Sequence, residues 1–306
     1  MQIETPDPAM VPLPVVASVA PGINLPPRAS RRQRARAVFI ALLHSKTFMA
    51  GAIIMLFWIL DAIFWPLIVP HDPNAQDLLS TLQRPSGAHL FGTDDLGRDV
   101  FSRVLAGARS VLTIAPAATA LGLLGGITIG LITGYYRGLV DDILMRIVDA
   151  LLAFPLVIIA LLVLAVLGHS TLNVVLVIAV VFTPLIARTV RAAVLSERER
   201  EYVASAQLLG EPGIVVMVRE ILPNITGAIV VEATVRLGYA IFTAATLSFL
   251  GLGIQQPSPD WGLSISLGRG FLQIASWMVL FPALALATLV VSLNFVADGL
   301  REVLSS

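Results

Sequence analysis

Residues 48–69 read FMAGAIIMLFWILDAIFWPLIV, an apolar run in which Asp61 is the one charged side chain. A helix needs about 20 predominantly apolar residues to cross the hydrocarbon of a bilayer. A lone strand of this composition would leave its backbone groups unpaired in lipid. The run therefore predicts a membrane-spanning helix. Outward from it, comparable apolar stretches recur at about 111–133, 150–168, 171–190, 225–250 and 278–297. Only Gly168-His169-Ser170 separates the third from the fourth, which predicts a tight hairpin. The fold class expected is an all-α membrane protein with six transmembrane helices. Pro116, Pro155, Pro184 and Pro282 interrupt four of the runs, as kinked helices of membrane bundles tolerate.

Composition agrees. Of 306 residues, 57% are hydrophobic and 13% charged, against roughly 25% charged in soluble domains. The mean hydropathy is +0.86. There are no cysteines, which excludes disulfides, thiolate zinc sites and cysteine nucleophiles. The net charge is zero, so bulk charge points to neither nucleic acid nor an acidic partner.

The first 30 residues carry seven prolines, from Pro6 to Pro27. Proline at that density reads as a disordered tail, without the basic start and compact apolar run of a signal peptide. Lysine and arginine placement predicts orientation. With the N-terminus inside, fourteen basic residues fall in inside segments, chiefly Arg28 to Lys46 and Arg188 to Arg219. Five fall outside: Arg84, Arg98, Arg103, Arg109 and Arg269. Both termini are therefore expected on the cytoplasmic side.

The chain has a single lysine, Lys46, and no Gly-x-x-x-x-Gly-Lys-Ser/Thr loop, so it is not expected to hydrolyse ATP itself. His44, His71, His89 and His169 are scattered along the sequence without His-x-x-x-His spacing, and no metal site is expected. Gly122, Gly126, Gly130 and Gly134 recur every fourth residue. Such a stripe either lets a second helix pack closely or lines a pore, and packing is the commoner use. Glu232 and Arg236 lie four apart on one helical face. Charges in a membrane segment are costly unless paired or wet, so this pair and Asp61 are candidates for the translocation path or a subunit interface. A self-neutralising buried pair is the plain alternative.

The loop between the fourth and fifth runs, 191–224, holds most of the remaining exposed chain. Within it, 201–224 reads EYVASAQLLGEPGIVVMVREILPN. Small residues precede Gly210, a glycine stop, and a second helix is expected near Pro212, where proline is tolerated. Two short helices joined this way predict a compact knob projecting from the membrane. The stretch resembles the EAA loop of ATP-binding cassette importer permeases: Glu-Ala-Ala, three residues, Gly, nine residues, Ile-x-Leu-Pro. Ala204-Ser205-Ala206, Gly210 and Leu222-Pro223 hold that spacing, while Ala204 replaces the usual glutamate and Glu220 an isoleucine.

Three further motifs are similar to the dipeptide, oligopeptide and nickel permeases, C-type subunit. They are Phe91 to Leu112 (FGTDDLGRDVFSRVLAGARSVL), Leu247 to Ile254 with Pro259-Asp260-Trp261-Gly262, and Asp298-Gly-Leu-Arg301. The resemblance runs from about residue 40 to the C-terminus. It implies a type I importer fold in the bacterial inner membrane and no cofactor on this chain, ATP and Mg²⁺ being held by partners. The implied partners are a homologous B-type permease, two cytoplasmic ATPases and an extracytoplasmic binding protein, in contact with membrane lipid but not nucleic acid. It also assigns ATPase coupling to Glu201, Tyr202, Ala204, Ser205, Ala206, Leu209, Gly210, Leu222 and Pro223.

The motif residues Gly92, Thr93, Asp94, Gly97, Arg98 and Asp99 stand on the outer face. They serve either substrate or metal contact, or turn capping and ion pairing at the start of the next helix; the second is favoured. The organisation expected is a tail at 1–37, a peripheral first helix at 38–70, an external segment at 71–110 and a five-helix permease core at 111–306. The competing reading is a secondary transporter driven by an ion gradient, which needs paired intramembrane ionisable groups and often an inverted repeat. No clear repeat is visible.

Overall fold

The computed structural model describes residues 39–305; the proline-rich tail expected at 1–37 lies outside the described residues. Helical residues 39–44 lead into α1 (Lys46–Ile68), capped by Ser45, whose hydroxyl accepts from the Phe48 amide. The helices that follow are α2 (Val100–Tyr136), α3 (Gly138–Leu152), α4 (Leu156–Leu167) and α5 (Thr171–Arg198). After them come α6 (Glu201–Leu208), α8 (Thr226–Phe249), α9 (Trp261–Gly268) and α10 (Trp277–Ser305). Between α6 and α8 the turns Gly213–Val215, Val216–Ile221 and Leu222–Asn224 form one run, α7, wound as a π-helix in its middle. Among the described residues, five helices, α1, α2, α5, α8 and α10, are long and apolar enough to cross a membrane. Helices α3 and α4 meet the same test only when taken together, as a pair bent by 85°: a broken sixth span or a re-entrant loop.

That bend revises the expected span at 150–168. The apolar run is continuous, but helix α3 ends at Leu152 and α4 begins only after Pro155. Proline disfavours helical backbone in the residue before it. Pro116, Pro184 and Pro282 remain inside unbroken helices. The 12 residues of α4 span only about 18 Å at 1.5 Å per residue, short of the roughly 30 Å of bilayer hydrocarbon. The chain turns into α3 through Arg137 and Gly138, both at positive φ. Polar bonds then hold α3 to the end of α5. Arg191 donates from two nitrogens to both carboxylate oxygens of Asp141, at 2.6 and 2.5 Å, and Arg188 pairs with Asp149.

The seam between α2 and α5 carries the core. Ala115, Ala118, Ile178, Ile186, Ala187 and Val194 are all fully buried. The glycine stripe faces this seam: a Cβ at Gly126 would lie 2.5 Å from the Ile186 side chain, and one at Gly130 or Gly134 2.7 Å from Val190 or Val194. The stripe packs helix against helix, as small-residue interfaces in lipid do. Helix α1 runs antiparallel to α10. Gly51 meets Ser292 and Phe295, Phe48 meets Gly299, and Trp58 donates to Thr288 at 3.1 Å. The opposite face of α1 leaves Ile53, Leu56, Phe57, Leu60, Ile63, Phe64 and Leu67 exposed, an apolar surface suited to lipid.

Helix α2 begins eleven residues before the apolar run that announced it. Arg103 and Arg109 depress the hydropathy of this first part, yet Arg103 is buried and its guanidinium donates to the carbonyls of Pro73 and Ser258 at 2.9 Å.

Candidate functional site

The knob is a folded object. Helix α6 ends at Leu208, and Gly210, at φ +78°, turns the chain where a Cβ would be strained. Pro212 then caps α7. Inside, Val203, Val216, Met217 and Ile221 are buried and belong to the same hydrophobic core as α2 and α5. The Tyr202 hydroxyl donates to Glu197 at 2.8 Å and accepts from Asn224 at 3.1 Å, tying α6 to the end of α5 and to the end of α7. Burial, with Glu197 beside it, pushes the Tyr202 hydroxyl up to about 12, so it stays protonated as a donor. Gln207 reaches the Tyr135 hydroxyl at 3.4 Å, Arg198 lies 5.7 Å over the Tyr135 ring, and Gly213 packs against Tyr135 and Tyr136. The knob is thus joined to the ends of both seam helices, α2 and α5.

Of the residues that the sequence associates with coupling, Glu201, Ala204, Ser205, Leu209 and Gly210 are exposed. Tyr202, Ala206, Leu222 and Pro223 are half-buried at the root. The tip is apolar: Leu208 is 89% exposed, Leu209 83%, Ile214 61% and Val218 48%. Leu208, Ile214 and Val218 share this exposure although no sequence motif marks them. Glu199, next to the motif, pairs with Arg137 at 3.0 Å.

On the opposite end, the 92–99 segment is a latch. Asp94 accepts from the amides of Leu96 and Arg98 and from the Arg98 guanidinium at 2.6 Å, and Arg98 is itself buried. Thr93 receives the Gln83 amide and donates to the Ser80 carbonyl, while Trp277 donates to the Thr93 carbonyl at 3.0 Å. Gly92 and Gly97 take positive φ in its two turns. Asp99 caps α2 through the Ser102 amide and hydroxyl, at 2.8 and 2.7 Å. Trp261, fully buried at the start of α9, donates to the Val104 carbonyl at 2.8 Å. Burial pushes the Asp260 carboxyl up, while the Leu263 amide that it caps pulls it the other way.

Within the bundle, Glu232 and Arg236 pair with each other at 2.6 Å on α8, both largely buried, and Arg236 also lies 5.7 Å over Tyr239. One turn further along, a cavity of about 340 Å³ opens between α8 and α10, lined by Tyr239, Phe242, Asn294, Asp298 and Arg301 among others. Asp61 is only 3% exposed, and neither of its carboxyl oxygens has a hydrogen-bond partner. The structure does not bring Asp61 together with Glu232 and Arg236 in any bond.

Comparison with known proteins follows the same outline. Residues 126–306 match the family described as binding-protein-dependent transport system inner membrane component, and residues 33–85 match the N-terminal membrane domain of oligopeptide transport permease C. The dipeptide transport system permease protein of Alkalihalophilus pseudofirmus is 42% identical over 269 residues, 88% of each chain. The di/tripeptide permease of Pseudomonas aeruginosa is 37% identical, over 85% of this chain and 88% of its own. The glutathione permease of Pectobacterium atrosepticum is 40% identical, over 83% and 85%. Among solved structures, the inward-facing MetNI methionine transporter shares the fold with a TM-score of 0.55 at 18% identity, covering 66% of this chain and 96% of that one. An all-helical multi-pass bundle with this knob, matched over most of its length, therefore belongs to the binding-protein-dependent inner-membrane transport components: it is a permease subunit of an ABC importer, a transport component and not an enzyme.

Proposed function

We propose that this permease subunit forms half of a translocation path for dipeptides and short oligopeptides, driven through the 201–224 knob by cytoplasmic ATPase subunits. The cargo class rests on relatives named for dipeptides and di/tripeptides. The complete transporter would pair this chain with a homologous permease, two ATPases that hold ATP and Mg²⁺, and an extracytoplasmic binding protein. Both termini and the knob lie on the cytoplasmic side in this reading, as the arginine bias supports.

One observation carries the coupling role. An apolar tip of Leu208, Leu209, Ile214 and Val218 stands in solvent on a rigid base keyed to α2 and α5. Exposed apolar patches of this kind mark docking surfaces. Burying a leucine contributes about 1.5–3 kcal/mol, so two buried leucines supply a large share of a docking energy. Displacement of the tip passes to the seam through Tyr202, Tyr135 and Gly213 rather than dissipating in a loose loop.

The test is Leu208→Asp with Leu209→Asp in the complete transporter. Neither side chain belongs to the buried core of the knob, so the chain is expected to fold and insert normally. ATPase subunits are expected to be lost on purification and ATP-dependent uptake to fall to background. Intact assembly with normal uptake overturns the coupling role. Uptake that follows membrane potential and persists without ATP would instead support the ion-gradient alternative.

A further inference from the structure

Two histidines far apart in sequence meet at the N-terminus of α2. His89 places Nδ1 2.9 Å from Oδ1 of Asp99, and His71 places Nδ1 3.9 Å from Oδ2 of the same carboxylate. The two imidazole rings lie 4.9 Å apart, centre to centre, tilted by 34°. One donor atom from each of His71, His89 and Asp99 falls within 4.8 Å of the other two. We propose that these three side chains bind one borderline divalent cation, Zn²⁺ foremost, with a further position open to water.

Ligands about 2.0–2.2 Å from a tetrahedral zinc ion sit roughly 3.3–3.6 Å from one another. The three donor atoms, within 4.8 Å of one another, stand only slightly wider than that. Asp99 is fixed because its Oδ2 accepts from the Ser102 amide and hydroxyl, leaving Oδ1 directed at His89. Hydrogen bonds that orient a ligand in this way are a general feature of metal sites. The Ser102 hydroxyl also accepts from the His71 amide at 3.3 Å, so one side chain positions two of the three ligands.

Exposure is graded across the site. The Asp99 side chain is buried, that of His89 is 18% exposed and that of His71 44%, which gives the ion a route in and an exchangeable ligand. The neighbouring cations are occupied elsewhere. Arg98 bonds to Asp94, and Arg103 bonds to the carbonyls of Pro73 and Ser258. Two imidazoles and one carboxylate suit Zn²⁺, Ni²⁺ or Co²⁺, whereas Mg²⁺ and Ca²⁺ prefer oxygen-rich sets. A bound ion would fasten the segment after α1 and the turn at His89 to the first turn of α2.

The experiment uses full-length, tag-free protein in lipid nanodiscs, stripped with chelator and titrated with ZnCl₂ by calorimetry. Co²⁺ serves as a spectroscopic probe and Mg²⁺ as the oxygen-seeking control. The expected result is one Zn²⁺ per chain, a Co²⁺ spectrum of a low-coordinate nitrogen and oxygen site, and no competition from Mg²⁺. His71→Gln with His89→Gln is expected to abolish the site, and His44→Gln with His169→Gln to leave it intact. Ser102→Ala is expected to weaken it by about 10-fold or more, as loss of an orienting partner does. Absence of saturable Zn²⁺ binding by the unmutated protein overturns the proposal, whatever the variants do. Binding that survives in the His71/His89 variant does so equally.

Discussion

Gly126→Ala is a sensitive test of the α2–α5 seam. The added Cβ would lie 2.5 Å from Ile186 Cβ and 3.1 Å from the Ala187 amide nitrogen. Carbon atoms in ordinary contact sit about 3.5–4.0 Å apart, so the helices must part by about 1 Å or Ile186 must move. Ile186 is fully buried, and the atoms struck are at the base of its side chain, where no rotamer change gives relief. Overpacking of this kind costs about 1–3 kcal/mol, and alanine's better helix propensity offsets about 0.5–1 kcal/mol of it. The net expectation is a loss of about 0–2.5 kcal/mol. Gly130→Ala and Gly134→Ala meet Val190 and Val194 at 2.7 Å and should follow. Gly227→Ala, in α8 with no atom within 4 Å of the new methyl, should be neutral or slightly stabilising. The assay is thermal unfolding of the purified chain in one detergent, all four variants side by side, with uptake measured in the assembled transporter. Should Gly126→Ala melt with Gly227→Ala, at or above the unmutated protein, the reasoning from close helix approach fails.

Two further expectations rest on single side chains. Asp61→Leu strands no partner, because neither carboxyl oxygen is bonded; removing an unsatisfied buried polar group should raise stability by about 1–3 kcal/mol, and a drop in uptake despite a higher melting temperature would give Asp61 a working role. Tyr202 titrates near 12 in the folded protein against about 10 in an unfolded chain. The stability it contributes is therefore complete below pH 10 and fades as pH rises from 10 through 12. Tyrosinate absorbance of the native protein minus that of Tyr202→Phe should show this late ionisation, and a difference signal at pH 10 refutes the hydrogen-bonded donor.

The membrane character of this chain was written in its sequence. Hydropathy over about 20 residues is a local property, so five spans emerge close to where the apolar runs lie. The knob was legible for a similar reason. A left-handed turn needs glycine at 210 and a helix start accepts proline at 212, and both are demands of single residues. The four-residue spacing of the glycines placed them on one face without naming what they face.

Tertiary structure decided the rest. The break between α3 and α4 was hidden because the side chains from 150 to 168 are uniformly apolar, while the bend follows from proline's backbone and from ion pairs that hold α3 to α5. The first turns of α2 were hidden because Arg103 looks incompatible with a buried helix until the carbonyls of Pro73 and Ser258 come to meet it. His71, His89 and Asp99 have no sequence spacing in common and converge because the chain after α1 folds back over the α2 N-terminus. Sequence patterns record what each residue needs from its immediate neighbours along the chain; which distant groups satisfy a buried charge or share a carboxylate is fixed only when the helices pack.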